Sequence, residues 1–117
     1  MLNAPTPEVL AAIPRLYQTE GTPLAQKTMY LHFFISACHW FAAEFDGDDL
    51  FFGYANLGDP VNTEWGYFSF KELCETRVMA PILDMETGET IVHVPVPVEC
   101  DRRWTPRRFC EIKEEGF

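Results

Sequence analysis

Thirteen aromatic residues lie between Lys27 and Lys71, in a stretch that holds no lysine or arginine. They are Tyr30, Phe33, Phe34, Trp40, Phe41, Phe45, Phe51, Phe52, Tyr54, Trp65, Tyr67, Phe68 and Phe70. Rings this dense cannot all face water, because each carries roughly 150–250 Å² of surface that gains by burial. They fall in short runs rich in aromatic and branched residues, which is the pattern of strands. The stretch therefore reads as an antiparallel sheet with most rings inside it and a minority left as exposed anchors.

The strands can be placed from their punctuation. Thr28 to Ser36 is the first, with Tyr30, His32 and Phe34 on one side and Leu31, Phe33 and Ile35 on the other. A tight connection at Ser36–Ala37 leads to Cys38–Phe45. Asp46-Gly47-Asp48-Asp49 is a hairpin turn, since Asp-Gly accepts positive φ. Leu50 to Leu57, a Gly58-Asp59-Pro60 turn and Trp65 to Phe70 follow, and Ser69 can cap a helix over Phe70–Thr76. Both faces of the first strands are apolar, so either helices and loops cover both sides of the sheet, which is the commoner arrangement in a monomer, or one face is exposed as a partner or dimer interface.

The flanks supply those covers. Thr6, Pro7 and Glu8 suit a helix start, with Val9, Leu10 and Ile13 on one face, Pro14 ending it and Leu16 or Tyr17 beyond. Gly21–Pro23 is a loop. Arg77–Leu83 and Thr90–Val94 form a second hairpin around Glu86-Thr87-Gly88-Glu89. Val94–Val98 alternates with prolines, which excludes a central strand and leaves an edge or an extended arm. Thr105-Pro106 opens a terminal helix through Ile112. The expected class is α+β: one domain over residues 1–117, an antiparallel meander with short N- and C-terminal helices and an extra hairpin near residues 77–94.

Charge narrows the choice of partner. The net charge is −9, with 4 basic and 14 acidic groups in the first hundred residues and 5 against 4 in the last seventeen. Such a field opposes nucleic acid and anionic membranes and favours a basic protein surface, although it also keeps a small protein soluble. The acids of the base-free stretch are Glu44, Asp46, Asp48, Asp49, Asp59 and Glu64. No run reaches membrane-spanning length and no secretory leader is apparent. Cys38, Cys74, Cys100 and Cys110 are far apart, which suits small core thiols in a reduced cytoplasm, while their even number permits disulfides.

Motifs for chemistry are weak. Asp46-Gly47-Asp48-Asp49 fails as a calcium loop, because Leu50 and Leu57 stand at the fifth and twelfth positions. His32, His39 and His93 lack zinc spacing. Cys38 and His39 are strand neighbours and point apart, and nothing in their spacing makes Glu44 and Glu64 an acid–base pair. Arg102, Arg103, Arg107 and Arg108 around Trp104 are read as partners of the acidic sheet rather than a phosphate site. Nucleotide-binding glycine fingerprints are missing. No catalytic, cofactor-binding or metal-binding residue is assigned.

Four strings, Pro14-Arg15-Leu16-Tyr17, Tyr30-Leu31-His32-Phe33-Phe34, Asp46-Gly47-Asp48-Asp49-Leu50-Phe51-Phe52-Gly53-Tyr54 and Glu64-Trp65-Gly66-Tyr67, carry a resemblance. In this order they resemble a domain-of-unknown-function family of small proteins from bacterial plasmids, integrative elements and phages. The likeness covers about Pro14 to Leu73 and returns around Val98–Ile112, while Met79–Pro97 fits less well. It implies a mobile-element context that includes anti-restriction cargo, and no catalytic residues.

The function expected is therefore non-enzymatic. The chain is an acidic nucleic-acid mimic of a mobile element or phage, acting in the cytoplasm of a bacterial host as a monomer or homodimer. It inhibits a defence complex, a CRISPR or restriction component, by occupying a basic nucleic-acid-binding surface. Glu44, Asp46, Asp48, Asp49, Asp59 and Glu64 supply charge, and Trp40, Tyr54, Trp65 and Tyr67 the apolar anchors. The alternatives are a small hydrolase using a His/Cys or His/carboxylate site, and a self-associating accessory protein.

Overall fold

A computed structural model describes residues 1–59 and 61–117. Thr28 to Ser36, expected as one strand, is two: Thr28–Met29 (β1) and Leu31–Ile35 (β2). The break falls at Tyr30, whose N–H still reaches the Ala42 carbonyl at 2.7 Å. Met29 is pulled beneath the sheet, where it has no solvent exposure and pairs with Arg107.

From β2 onward the meander runs as the alternation predicts. Cys38–Phe45 (β3), Leu50–Leu57 (β4) and Thr63–Ser69 (β5) follow, each antiparallel to the one before. Ser36, at φ +52°, and Gly47, at φ +91°, make the turns. Of the third expected turn, Gly58 has φ +94°, Asp59 accepts from the Val61 N–H, and Pro60 lies outside the described residues. Glu99–Cys100 (β8) adds a short fifth strand beside β2, tied down by Leu2 through hydrogen bonds to Val98 and Cys100.

Each face of the sheet carries its own core. Leu31, Phe33, Ile35, Ala42 and Phe51 cluster on the first face with Ile13, Leu73, Val98 and Cys100. On the second face Phe41 and Tyr54 pack with Met29, Phe109 and Ile112, and Trp65, Trp104 and Phe117 lie partly buried against them. The aromatic stretch is thus an interior with two sides.

The covers are short. Pro7–Ala11 (α1) is capped by Thr6, whose hydroxyl accepts from the Val9 N–H, yet the helix buries none of its residues. Val9 is exposed, and Ile13 beyond the helix end makes the core contact. Phe70–Glu75 (α2) starts at Ser69, whose hydroxyl accepts from the Glu72 N–H at 3.1 Å. The last helix, Phe109–Glu114 (α3), begins three residues later than Pro106 predicts. Arg107–Arg108 (β9) is drawn into an extended pair with β1 first.

Arg77–Leu83 (β6) and Thr90–Pro97 (β7) form a separate two-stranded hairpin. The molecule measures 55 × 29 × 22 Å along its principal axes. Val78, Ala80 and Ile82 face Val96, Val94 and Val92 across the hairpin, so one side is a continuous aliphatic strip. Val96 packs on the first core, while Val78, Ile82 and Val92 stay exposed.

Candidate functional site

The expected docking residues do not share one surface. Glu44 and Tyr54 are interior, at 3% and 4% exposure, and are unavailable to a partner. Asp46, Asp48 and Asp49 sit on the β3–β4 turn, and Tyr67 is exposed two residues inside that end, opposite Phe52. Asp59 lies at the other end of β4, about 25 Å away at strand rise. Trp40 and Glu64 share a cross-strand row through Ala55 on the first face, and Trp65 is half-buried on the second beside Tyr54 and Phe109. Only the turn end keeps carboxylates and an exposed ring together.

Those turn carboxylates are already employed by the backbone. Asp46 Oδ1 accepts from the N–H groups of Asp48, Asp49 and Leu50 at 2.8, 2.8 and 3.0 Å. The bonds from Asp48 and Asp49 hold its carboxyl below the usual range, so it stays ionised into acid. Asp49 accepts from the Ser69 hydroxyl at 2.6 Å and the Lys71 N–H at 2.7 Å, joining the turn to α2. Asp48 makes no side-chain hydrogen bond among the described residues and reaches solvent. The turn is a stiff mount for ionised oxygens.

Glu44 has a different task. A bulge puts Ala43 out of register between Ala42 and Glu44, which turns Glu44 onto the second face opposite Phe52. There it accepts from the N–H groups of Tyr17 at 3.0 Å and Thr19 at 2.9 Å, and from the Thr19 hydroxyl. Lys27, also buried, donates to the Thr19 carbonyl at 2.5 Å and hydroxyl at 2.8 Å. Burial alone raises the Glu44 carboxyl, but the bonds from Thr19 and Tyr17 with the Lys27 charge bring it below its ordinary value. The clamp fixes Tyr17 at φ +73°, an unusual conformation for a bulky residue. Tyr17 and Tyr67 then stand with their hydroxyls 3.4 Å apart at the mouth of a cavity of about 390 Å³.

The histidines form a chain that sequence spacing did not reveal. His32 Nδ1 meets Asp101 Oδ2 at 3.0 Å, and its Nε2 meets His39 Nδ1 at 2.9 Å. Burial lowers both histidines, outweighing the pull of Asp101 on His32, and the bond from His32 offsets the burial that raises Asp101. An ionised Asp101 therefore accepts a hydrogen bond from the Nδ1–H of a neutral His32, whose Nε2 accepts from His39. Phe117 covers His39 edge-on at 4.7 Å, and neither histidine lines either of the two larger cavities. Cys38 belongs to the opposite face, and burial pushes the Cys100 thiol up to about 11, so neither thiol is an activated partner of these histidines.

The arginines pair locally and not with the sheet acids. Arg107 stacks on Trp104 at 3.7 Å and bonds Glu115 at 2.7 Å, while Arg108 meets Glu111 and Gln26. Arg102 and Arg103 are exposed. Among the described residues no group of His, Cys, Asp and Glu side chains is gathered as for a metal ion, and no helix is long and apolar enough to cross a membrane. Comparison with protein-family models, curated proteins and solved structures finds no match for this chain.

Proposed function

We propose that the chain is a non-enzymatic acidic binding protein that docks its β3–β4 turn end onto a basic protein surface. The target surface is one that ordinarily holds nucleic acid in a bacterial defence complex, a CRISPR or restriction component, and the binder belongs to a mobile element or phage. The observation that carries the reading is the turn itself: the Asp46 and Asp49 carboxylates hold its backbone rigid, and Asp48 projects from it into solvent. Fixed anionic oxygens spare the ordering cost of contact, and the exposed Tyr67 beside them offers a ring to bury. Asp59 and Glu64 fall outside this footprint.

The test follows from which acids are structural. Reversing Asp46 or Asp49 would break the turn, whereas Asp48→Lys changes charge alone. With an affected nucleic-acid-binding defence complex, Asp48→Lys should slow association about tenfold at low salt and leave stability within about 0.5 kcal/mol. The difference should shrink at high ionic strength. Binding that ignores both salt and Asp48 would sink the proposal.

A second reading, self-association, is favoured by the aliphatic strip on the β6–β7 hairpin. Two-stranded hairpins are marginal alone, and Val78, Ile82 and Val92 are exposed on this one. Sedimentation should then give a mass that rises with concentration in the parent and stays monomeric in Ile82→Lys. A constant monomer mass in both removes this reading.

A further inference from the structure

A cavity lies between the Tyr17 segment and the second sheet face. Its floor is Glu44, with Lys27 beside it, and its walls are Phe52, Tyr67 and Tyr17, with Glu20 nearby. Two of these rings are conspicuously wet: Tyr17 is 63% and Tyr67 52% exposed. Tyr17 is also held in a left-handed conformation, at φ +73°, which places its ring over the opening instead of into the core.

The charges decide what fits. Lys27 directs its ammonium to both oxygens of Thr19 and offsets Glu44 across that residue. Glu20 is exposed and forms no ion pair among the described residues. Two carboxylates against one ammonium leave the cavity negative. The Lys27 ammonium already lies 6.0 Å over the Phe52 ring, which leaves the exposed Tyr17 and Tyr67 rings to attract a cation on an apolar stem, and a planar guanidinium above all. An anion would meet the Glu20 carboxylate, and the Lys27 ammonium already gives two of its three N–H donors to Thr19.

We propose that this cavity receives an arginine side chain of the basic partner, its guanidinium against the Tyr17 and Tyr67 rings and within reach of the exposed Glu20, while Glu44 beneath contributes only its charge. The source of that arginine rests on the docking reading above; the cation preference rests on the cavity alone. The cavity lies toward the same end of the sheet as the Asp46–Asp49 turn, so one approach engages both. Turn carboxylates would speed the encounter, and the seated arginine would slow departure.

The probe is Nα-acetyl-L-arginine amide, titrated into isotopically labelled protein while the amides of Tyr17, Thr19, Glu44 and Phe52 are followed. Saturable shifts are expected with a Kd on the order of 1–10 mM. The citrulline analogue, equal in shape and uncharged, should bind at least about tenfold more weakly. Tyr67→Ala and Glu20→Gln should each weaken the arginine probe about threefold to tenfold. Tyr17→Gly removes the ring while suiting the positive φ, so it should weaken binding without loss of thermal stability. Equal binding of citrulline, displacement by inorganic phosphate, or no saturable shift up to about 100 mM probe overturns the inference. Should the probe fail while a partner still binds in an Asp48-dependent, salt-sensitive manner, only the cavity assignment falls. A bound probe without any such partner would instead remove the docking reading.

Discussion

Gly53→Ala should lower stability by about 3–5 kcal/mol, a large share of the roughly 5–15 kcal/mol a domain of this size possesses. Gly53 pairs with Ala42 beside the β3 bulge, where the strands approach unusually closely. A Cβ there would fall onto the Phe41 carbonyl oxygen, 2.9 Å from its carbon and 3.1 Å from Ala42 Cα. These are backbone atoms in the middle of a paired sheet, with no flexible end to yield. Gly66 is Gly53's partner across β5 and supplies the control, since a Cβ there meets nothing within 4 Å. Gly66→Ala should be neutral or slightly stabilising, because it removes freedom from the unfolded chain. Urea unfolding of both variants checks the contrast, and equal midpoints would show that the close approach does not exist.

Glu44→Ala should cost about 3 kcal/mol, because it strands two backbone N–H groups, the Thr19 hydroxyl and the buried Lys27 ammonium. Adding Lys27→Met to that variant should recover part of the loss, whereas independent sites would lose more still. The pH dependence has a definite sign. Glu44 is depressed in the fold, so its contribution is complete above its ordinary value of 4.5 and is lost as pH falls below that toward the folded value. His32 and His39, lowered from 6.5, act earlier: as pH falls through 6.5 the unfolded chain takes up protons that the buried pair resists. Stability should therefore fall in two stages on acidification, and Glu44→Ala should make only the second shallower, since Asp46 and Asp101 are depressed as well. A single stage below pH 4.5 would mean that the histidine chain is not neutral in the fold.

Much of the architecture is written locally. Cys38–Phe45 and Leu50–Leu57 have the bounds that alternation and an Asp-Gly turn dictate, and Ser69 caps the helix its position suggests. What local pattern misses depends on distant partners. Nothing near Tyr30 announces a break that exists because Met29 pairs with Arg107, and nothing near Pro106 says that two residues extend before the helix begins. The candidate site depends on distant geometry most. Acids close in sequence are not close in space, because β4 carries Asp59 to the far end and the bulge at Ala43 sends Glu44 inward. One signal was available: in Phe41-Ala42-Ala43-Glu44-Phe45 a single carboxylate sits inside an apolar run, the mark of a buried and partnered charge. Lys27, the last cation before the base-free stretch, was its natural companion.

The two covers of the sheet differ from it in when they can form. Strands β2 to β5 join through neighbours and can assemble early, whereas His32 meets Asp101 across 69 residues and Trp104 reaches the Met29 carbonyl across 75. Closing loops of that length is slow relative to hairpin formation. For that interval the second aromatic face stands bare, with Phe41 and Tyr54 open to other chains. The base-free stretch is useful at this moment. Every nascent sheet carries negative charge only, so like repels like while the rings are uncovered, and Asp46 to Asp49 and Glu64 stand where gatekeepers against aggregation are useful.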